Sequence, residues 1–280
     1  MISEADVHDM LESRDLIAIG SKADEVRRRL HGARTTFVRV FEIHVDAPPS
    51  AVPAGTSAGE FRIVGRPASL EAAVACVRTA VSLAGGVPVT GFSLADMAQV
   101  GDASSLALTC RALRDAGLEA IAEVPIDLMD EPAAAVTAAR QAGLSVPRVT
   151  VQSIRDSDRV SLVNRVRNLQ NTVGDIRAFA PLPRVMSVAA PTTGYDDVKQ
   201  VALARVVADN IPSIQVDWSL YGPKLAQFVL TTGADDVDAI SAVDPGTLGT
   251  RRSPIEEIRG NIRSAALDPI ERNARFEAIG

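Results

Sequence analysis

The sequence predicts an α/β protein built on a parallel (βα) barrel of the TIM type, partial or distorted. Three observations carry that prediction. Eight short runs are rich in β-branched and apolar residues, as strands covered on both faces are. Segments with readable helix caps separate most of them. The two kinds of segment alternate along the chain, which is the signature of parallel α/β architecture. An open doubly wound sheet is the alternative, but no G-x-G-x-x-G follows the first strand to mark a dinucleotide site.

The elements follow in order. A helical region over residues 3 to 31 precedes the first strand, Thr35 to Val45. The next strands are Glu60 to Val64, Val87 to Phe92, Leu118 to Val124, Pro147 to Ile154, Ile176 to Leu182, Ile214 to Leu220 and Asp236 to Ile240. Ser69 caps a helix from Leu70 to Ala84, and Gly85-Gly86 stops it. Ser104 opens a helix ending at Gly117, Glu131-Pro132 makes a first turn closed by Gly143, and Ser157 or Asp158 opens one closed by Gly174. Asp196 to Asp209 and Pro223 to Thr232 give two more, and Ser253-Pro254-Ile255-Glu256 has capping-box spacing for a C-terminal helix. The organisation expected is an N-terminal helical segment (1–33), the barrel (34–244) and a C-terminal helical extension of the same domain (245–280).

One connection departs from the repeat. Residues 46–59 hold Pro48, Pro49, Pro53, Gly55 and Gly59, which excludes a helix and replaces the first barrel helix with a Pro-rich loop. Such a coil is long enough for a parallel crossover and equally able to close a hairpin. Either way one face of the sheet lacks its covering helix, and that face is a candidate docking surface.

Composition excludes several function classes. The formal net charge is −6 and the pI about 5.2, against the basic face that nucleic acid demands. No apolar stretch approaches the roughly 18 residues of a membrane span. The acidic start, Met1 to Asp6, has no apolar signal core, so a cytoplasmic protein is expected. The two cysteines, Cys76 and Cys110, fit a reducing compartment and read as buried thiols on apolar helix faces.

Reactive groups of an α/β barrel come from the C-terminal ends of its strands. Glu42, His44 and Asp46 alternate along the end of the first strand, a carboxylate–imidazole–carboxylate face suited to acid–base work or to a metal. Asp127, just past the fourth strand, and Asp217, within the seventh, complete the catalytic candidates with Glu42 and His44. Thr90, Ser93, Asp96, Glu123, Gln152 and Trp218 stand at other strand ends as candidate ligand-binding residues, with Arg155 and Arg184 beside them. No G-x-S-x-G elbow, P-loop or H-E-x-x-H occurs.

Several segments read together resemble a known family. Asp15-Leu16-Ile17-Ala18-Ile19-Gly20 with Ala23 to Gly32, Val89 to Met97, Arg165 to Ala180, Pro191-Thr192-Thr193-Gly194-Tyr195-Asp196-Asp197, Ala202 to Arg205, Asp209 to Pro212, Gly222 to Gln227, Gly233 to Asp238 and Ile270-Glu271-Arg272-Asn273 appear in the family's order and spacing. The chain resembles the radical S-adenosylmethionine family of menaquinone and deazaflavin precursor synthesis, the aminofutalosine synthases and dehypoxanthine futalosine cyclases. The resemblance implies a radical-enzyme barrel, keeps a carboxylate at Asp96 and Asp127, and adds Arg205, Lys224 and Gln227 to the pocket for a polar, carboxylated ligand.

The family's cluster loop, C-x3-C-x2-C after the first strand, has no counterpart here, and Glu123-Val124-Pro125-Ile126-Asp127 stands where the family has a glycine-rich turn. Cluster ligation needs clustered thiolates. The expectation is therefore no iron–sulfur cluster, no S-adenosylmethionine and no other cofactor. The expected function is an accessory or small-molecule-binding role linked to futalosine-pathway menaquinone synthesis. Its expected partners are a metabolite and a second copy or a catalytic homologue, with neither nucleic acid nor membrane. An enzyme using acid–base or metal chemistry in the residual pocket is the alternative.

Overall fold

The computed structural model describes residues 4–100, 106–185, 192–244 and 254–279. Ser104, Pro191 and Ser253, and the side chain of His8, lie outside what is described.

Two helices, α1 (Glu4–Glu12) and α2 (Leu16–His31), precede the barrel. Asp15 caps α2 by accepting from the amides of Ile17 and Ala18. The barrel strands are β1 (Arg34–His44), β2 (Glu60–Val64), β3 (Val89–Ser93), β4 (Ala120–Pro125), β5 (Arg148–Val151), β6 (Ala178–Pro183), β7 (Ser213–Asp217) and β8 (Asp236–Ser241). They are parallel and closed, each bonded to the next and β8 to β1. Between and after them lie α3 (Leu70–Ala84), α4 (Leu94–Val100), α5 (Leu106–Asp115), α6 (Pro132–Gln141), α7 (Arg159–Val173), α8 (Gly194–Val207), α9 (Trp218–Leu230) and α10 (Pro254–Ser264). The apolar core fills the layer between strands and helices, with Phe37, Phe61, Ile63, Val77, Ile121 and Phe179 buried in it.

The Pro-rich coil carries a parallel crossover, so β1 and β2 pair with Val40 opposite Glu60 and His44 opposite Val64. The coil covers the face left without a helix. The Ser57 amide donates to the Ala242 carbonyl, the Arg39 guanidinium donates to Ser57 Oγ at 2.9 Å, and the Gly59 amide donates to the Arg39 carbonyl. Val52 and Ala58 pack against the core from this coil. The expected open docking face is thus occupied by the chain itself.

Three local expectations are corrected. Trp218 to Leu220 is helical, because Asp217 caps α9 by accepting from the Leu220 amide at 3.1 Å; the helix breaks at Gly222 (φ 70°) ahead of Pro223. The helix expected to open at Ser104 is preceded by a separate one, α4, directly after β3. The C-terminal extension is not helical throughout. After α10 the chain forms a ninth strand, β9 (Asp268–Glu271), parallel to Arg34–Phe37 of β1. β9 and β2 thereby share one edge of β1 end to end. Gly59 sits at the junction, where a Cβ would lie 2.6 Å from the Arg272 carbonyl oxygen, so only glycine fits.

Candidate active site: the barrel mouth and its ionic floor

Parallel strands of α/β barrels usually fill their interior with layers of branched apolar side chains. This interior is ionic. Three guanidiniums, Arg62, Arg148 and Arg272, meet three carboxylates, Glu60, Asp236 and Asp238, none of them more than 4% exposed. Arg62 grips Glu60 at 2.7 and 2.8 Å and Asp238 at 2.9 and 2.7 Å. Arg148 also bonds Asp238 and donates to the Ala122 carbonyl at 2.9 Å. Arg272, reaching in from the segment after β9, takes Asp236 at 2.7 and 2.6 Å under the ring of Phe276, 4.0 Å away. Gln215, Thr36 and Thr90 supply further donors, Gln215 and Thr36 to Asp236 and Thr90 to Glu60.

Three guanidiniums face three carboxylates, a balance that offsets part of the cost of burying them. Burial alone would raise Asp238; Arg148 and Arg62 overcome it and hold the carboxyl well below the usual range. Glu60 is lowered the same way, burial being outweighed by Arg62. Burial pulls Arg148 down, and Arg62 adds to that, with Asp238 opposing.

Above this floor a cleft of about 600 Å³ opens at the C-terminal ends of β2 to β6. Arg62 and Arg148 form its base and Arg66, Arg184, Asp96 and Glu123 its walls. Arg184 spans Glu123 at 3.3 Å and Asp217 at 3.6 Å, contacts too long to saturate its donors. Arg66 donates to Gln99 at 2.9 Å and lies 3.9 Å from Asp96. Burial raises the Asp96 carboxyl against the pull of Arg66, with Glu123 adding to the rise. Arg148 keeps its Nη2 edge outside the bonds its other nitrogens make. Phe92 lines the cleft at φ 65°, a strained backbone for a bulky residue.

The structure brings Ser93, Asp96, Glu123, Gln152 and Arg184 together in this cleft. Thr90 belongs to the floor instead. Asp127 is a loop clamp, its carboxylate accepting from the amides of Gln152 and Ser153 at 2.8 and 2.9 Å. Asp217 is a buried helix cap that also faces Arg184. Trp218, half-buried, packs against the apolar core and does not line the cleft.

The positions carried over from the resemblance alone fall elsewhere. Arg205 is fully buried on α8 and staples the lower end of the barrel, donating to the Gly233 carbonyl at 2.9 Å and pairing with Asp235. Lys224 is exposed and Gln227 half-buried on α9, and neither lines the cleft. Glu42 and His44 are exposed, in register with Arg62 and Val64, and Asp46 is exposed in the coil. Among the described residues no three His, Cys, Asp or Glu side chains are placed to hold a metal.

Arg62, Arg66 and Arg148 are the cleft residues that motif reading overlooked. For Arg62 the signal was alternation along the strand; Arg66, in the loop after β2, and Arg148, the one charged residue of β5, carried none. Glu60-Phe61-Arg62-Ile63 and Asp236-Val237-Asp238 put charge on every second position of a strand, which means a polar inner face.

Residues 176–279 match the CofH/MqnC C-terminal region family. The chain is similar to aminodeoxyfutalosine synthase of Streptomyces coelicolor, 32% identical over 143 residues, covering 43% of this chain and 37% of that protein. It is also similar to the 5-amino-6-(D-ribitylamino)uracil–L-tyrosine 4-hydroxyphenyl transferase of Haloarcula marismortui, 28% identical over 197 residues, covering 59% and 44%. The matched stretches thus span less than half of these relatives. Methylornithine synthase superposes with a TM-score of 0.67 at 14% identity over 96% of this chain and 94% of that one. HydG, a maturase of the [FeFe]-hydrogenase, gives 0.65 at 14%, over 98% and 73%. At such identities the two structures establish the fold.

The kinship corrects the cofactor expectation. The aminodeoxyfutalosine synthases are radical S-adenosylmethionine enzymes that use an iron–sulfur cluster, so an absence of both is not what the chain's relatives support. The donor set tells how far that carries to these residues. Clusters are held by thiolates. The sequence has two cysteines, Cys76 on α3 and Cys110 on α5, both buried in the helical layer. Burial pushes both thiols up, Cys110 to about 11. This pair does not fit a cluster's ligand set. Among the described residues no helix is long and apolar enough to cross a membrane.

Proposed function

We propose that this chain, a member of the radical S-adenosylmethionine family of menaquinone and cofactor biosynthesis, is an accessory protein that binds a carboxylate-bearing metabolite in its barrel mouth. The observation that carries the reading is the cleft of about 600 Å³ with four arginines in its lining. Arg148 offers an open Nη2 edge at the base and Arg184 offers under-used donors at the wall, the arrangement a planar carboxylate takes up in a fork. Asp96 and Glu123, also in the lining, accept from hydroxyl or amide groups of the same ligand. In this reading the protein works in the cytoplasm of its host, alone, as a dimer or beside a catalytic homologue that processes the metabolite.

Mass spectrometry of the small molecules retained by purified protein, followed by calorimetric titration of futalosine-type compounds and simple aryl carboxylates, tests it. A carboxylated ligand whose binding falls at least tenfold in Arg184→Gln is expected. Protein that retains nothing and binds none of these compounds ends the reading.

One observation favours a second reading, an acid–base enzyme. The Asp96 carboxyl is raised by burial in a cleft it shares with Glu123, the kind of pairing that divides acid from base roles. Turnover of the retained ligand, abolished in Asp96→Asn with binding unchanged, distinguishes it from a binding role.

A further inference from the structure

We infer that the metabolite held in the cleft carries an uncharged apolar chain, and that this chain lies in a gallery between α4, α5 and α6. The inference rests on the reading of the cleft as a carboxylate site and goes beyond it by naming the rest of the ligand. The gallery is a space of about 440 Å³ lined by Ala98, Leu106, Met129, Ala135 and Ala138 among others. It adjoins the cleft, since Ala95, Gln99 and Leu128 line both.

Leu128 marks the junction. It is 60% exposed, an isobutyl group left in water where the two spaces meet. A third space, about 460 Å³ beside Asp127, Ser153, Arg155 and Arg165, also reaches Leu128. That space is polar, so an apolar chain leaving the cleft finds its only matching walls on the alanine side among these three. Small side chains on α4 and α6 leave the width for a chain of methylenes, and Leu106, Leu128 and Met129 supply contact area. Asp130 and Glu131, both exposed, add two carboxylates to its lining. A second carboxylate there would be repelled, so the far end of the ligand is neutral.

Calorimetric titration of n-alkyl monocarboxylates from butanoate to decanoate, below their micelle concentrations, tests the inference. Affinity should climb about two- to fourfold per added methylene, the range for a partly to fully buried CH₂. Ala98 is exposed and Ala135 half-buried. Ala98→Trp and Ala135→Trp therefore place a ring in the gallery from two different helices. Each should flatten the series toward the butanoate value and leave butanoate itself unchanged. If butanoate binds but wild-type affinity is indifferent to chain length, the gallery is overturned and the carboxylate cleft stands. The same holds if affinity rises and neither tryptophan alters the slope. If no carboxylate of any length binds, the cleft reading and the gallery fall together.

Discussion

Asp238 is the residue on which the barrel interior turns. Its two oxygens serve Arg62 and Arg148 at once, and all three side chains are buried. Asp238→Asn keeps the shape and removes the charge, leaving two buried guanidiniums to share Glu60. Breaking a buried pair from one side typically costs about 3–5 kcal/mol, so urea unfolding should show a loss of that order. A variant within about 0.5 kcal/mol of wild type, the range of an ordinary surface change, would show that the interior is wetter than the burial implies. The cysteines make the opposite case, residues with nothing to do. Both are buried with raised thiol pKa values, so native protein should resist iodoacetamide and take up two labels only when unfolded. Rapid labelling of the folded state would contradict that placement.

At the scale of elements, β9 is the one that sequence reasoning overlooked. Asp268-Pro269-Ile270-Glu271 has a proline, no alternation and only one β-branched residue. It is a strand because the edge of β1 beside Arg34–Phe37 is open to it, which is tertiary context rather than local propensity. The barrel strands were legible within one or two residues at most ends because each runs between a turn and a cap. The Trp218–Leu220 stretch was misplaced because its apolar residues hide the cap that Asp217 makes. Of the candidate site, the strand-end polar residues were legible. The arginine floor was not, since reading the strands as uniformly apolar conceals the alternation that puts Glu60 and Arg62 inside.

The join between β9, the coil and β2 is testable at Gly59. Gly59→Ala drives a methyl against the Arg272 carbonyl oxygen, a backbone atom that cannot rotate away. A loss of about 1–3 kcal/mol, as overpacking usually costs, is expected in thermal unfolding. Gly194→Ala is the control. Among the described residues nothing lies within 4 Å of its Cβ position and it opens α8, so it should be neutral or stabilising by up to about 1 kcal/mol.

For the whole molecule, the ionic floor dictates how stability follows pH. Glu60 and Asp238 titrate below their ordinary range in the folded state. Their contribution is fully present above the unfolded carboxylate value, about 4, and is lost as pH falls from there through the folded values. Asp96 has the reverse sign. Raised in the folded state, it favours folding at low pH and loses that contribution as pH rises through its folded value, but its side chain is 31% exposed and the effect is small. The net expectation is flat stability from about pH 7 to pH 5 and a steep decline below about pH 4. Urea unfolding across that range should show the folded state taking up fewer protons than the unfolded one on the acid side, and Asp238→Asn should lessen that difference by about one proton. The variant is therefore weaker than wild type at neutral pH, and the gap between them narrows as the pH drops. Equal stability of wild type at about pH 3 and pH 7 would mean that the buried carboxylates titrate in the folded protein as they do in the unfolded chain. The pull of Arg62 and Arg148 on Glu60 and Asp238 would then do no more than offset their burial, and the interior pairs would add nothing to folding at neutral pH.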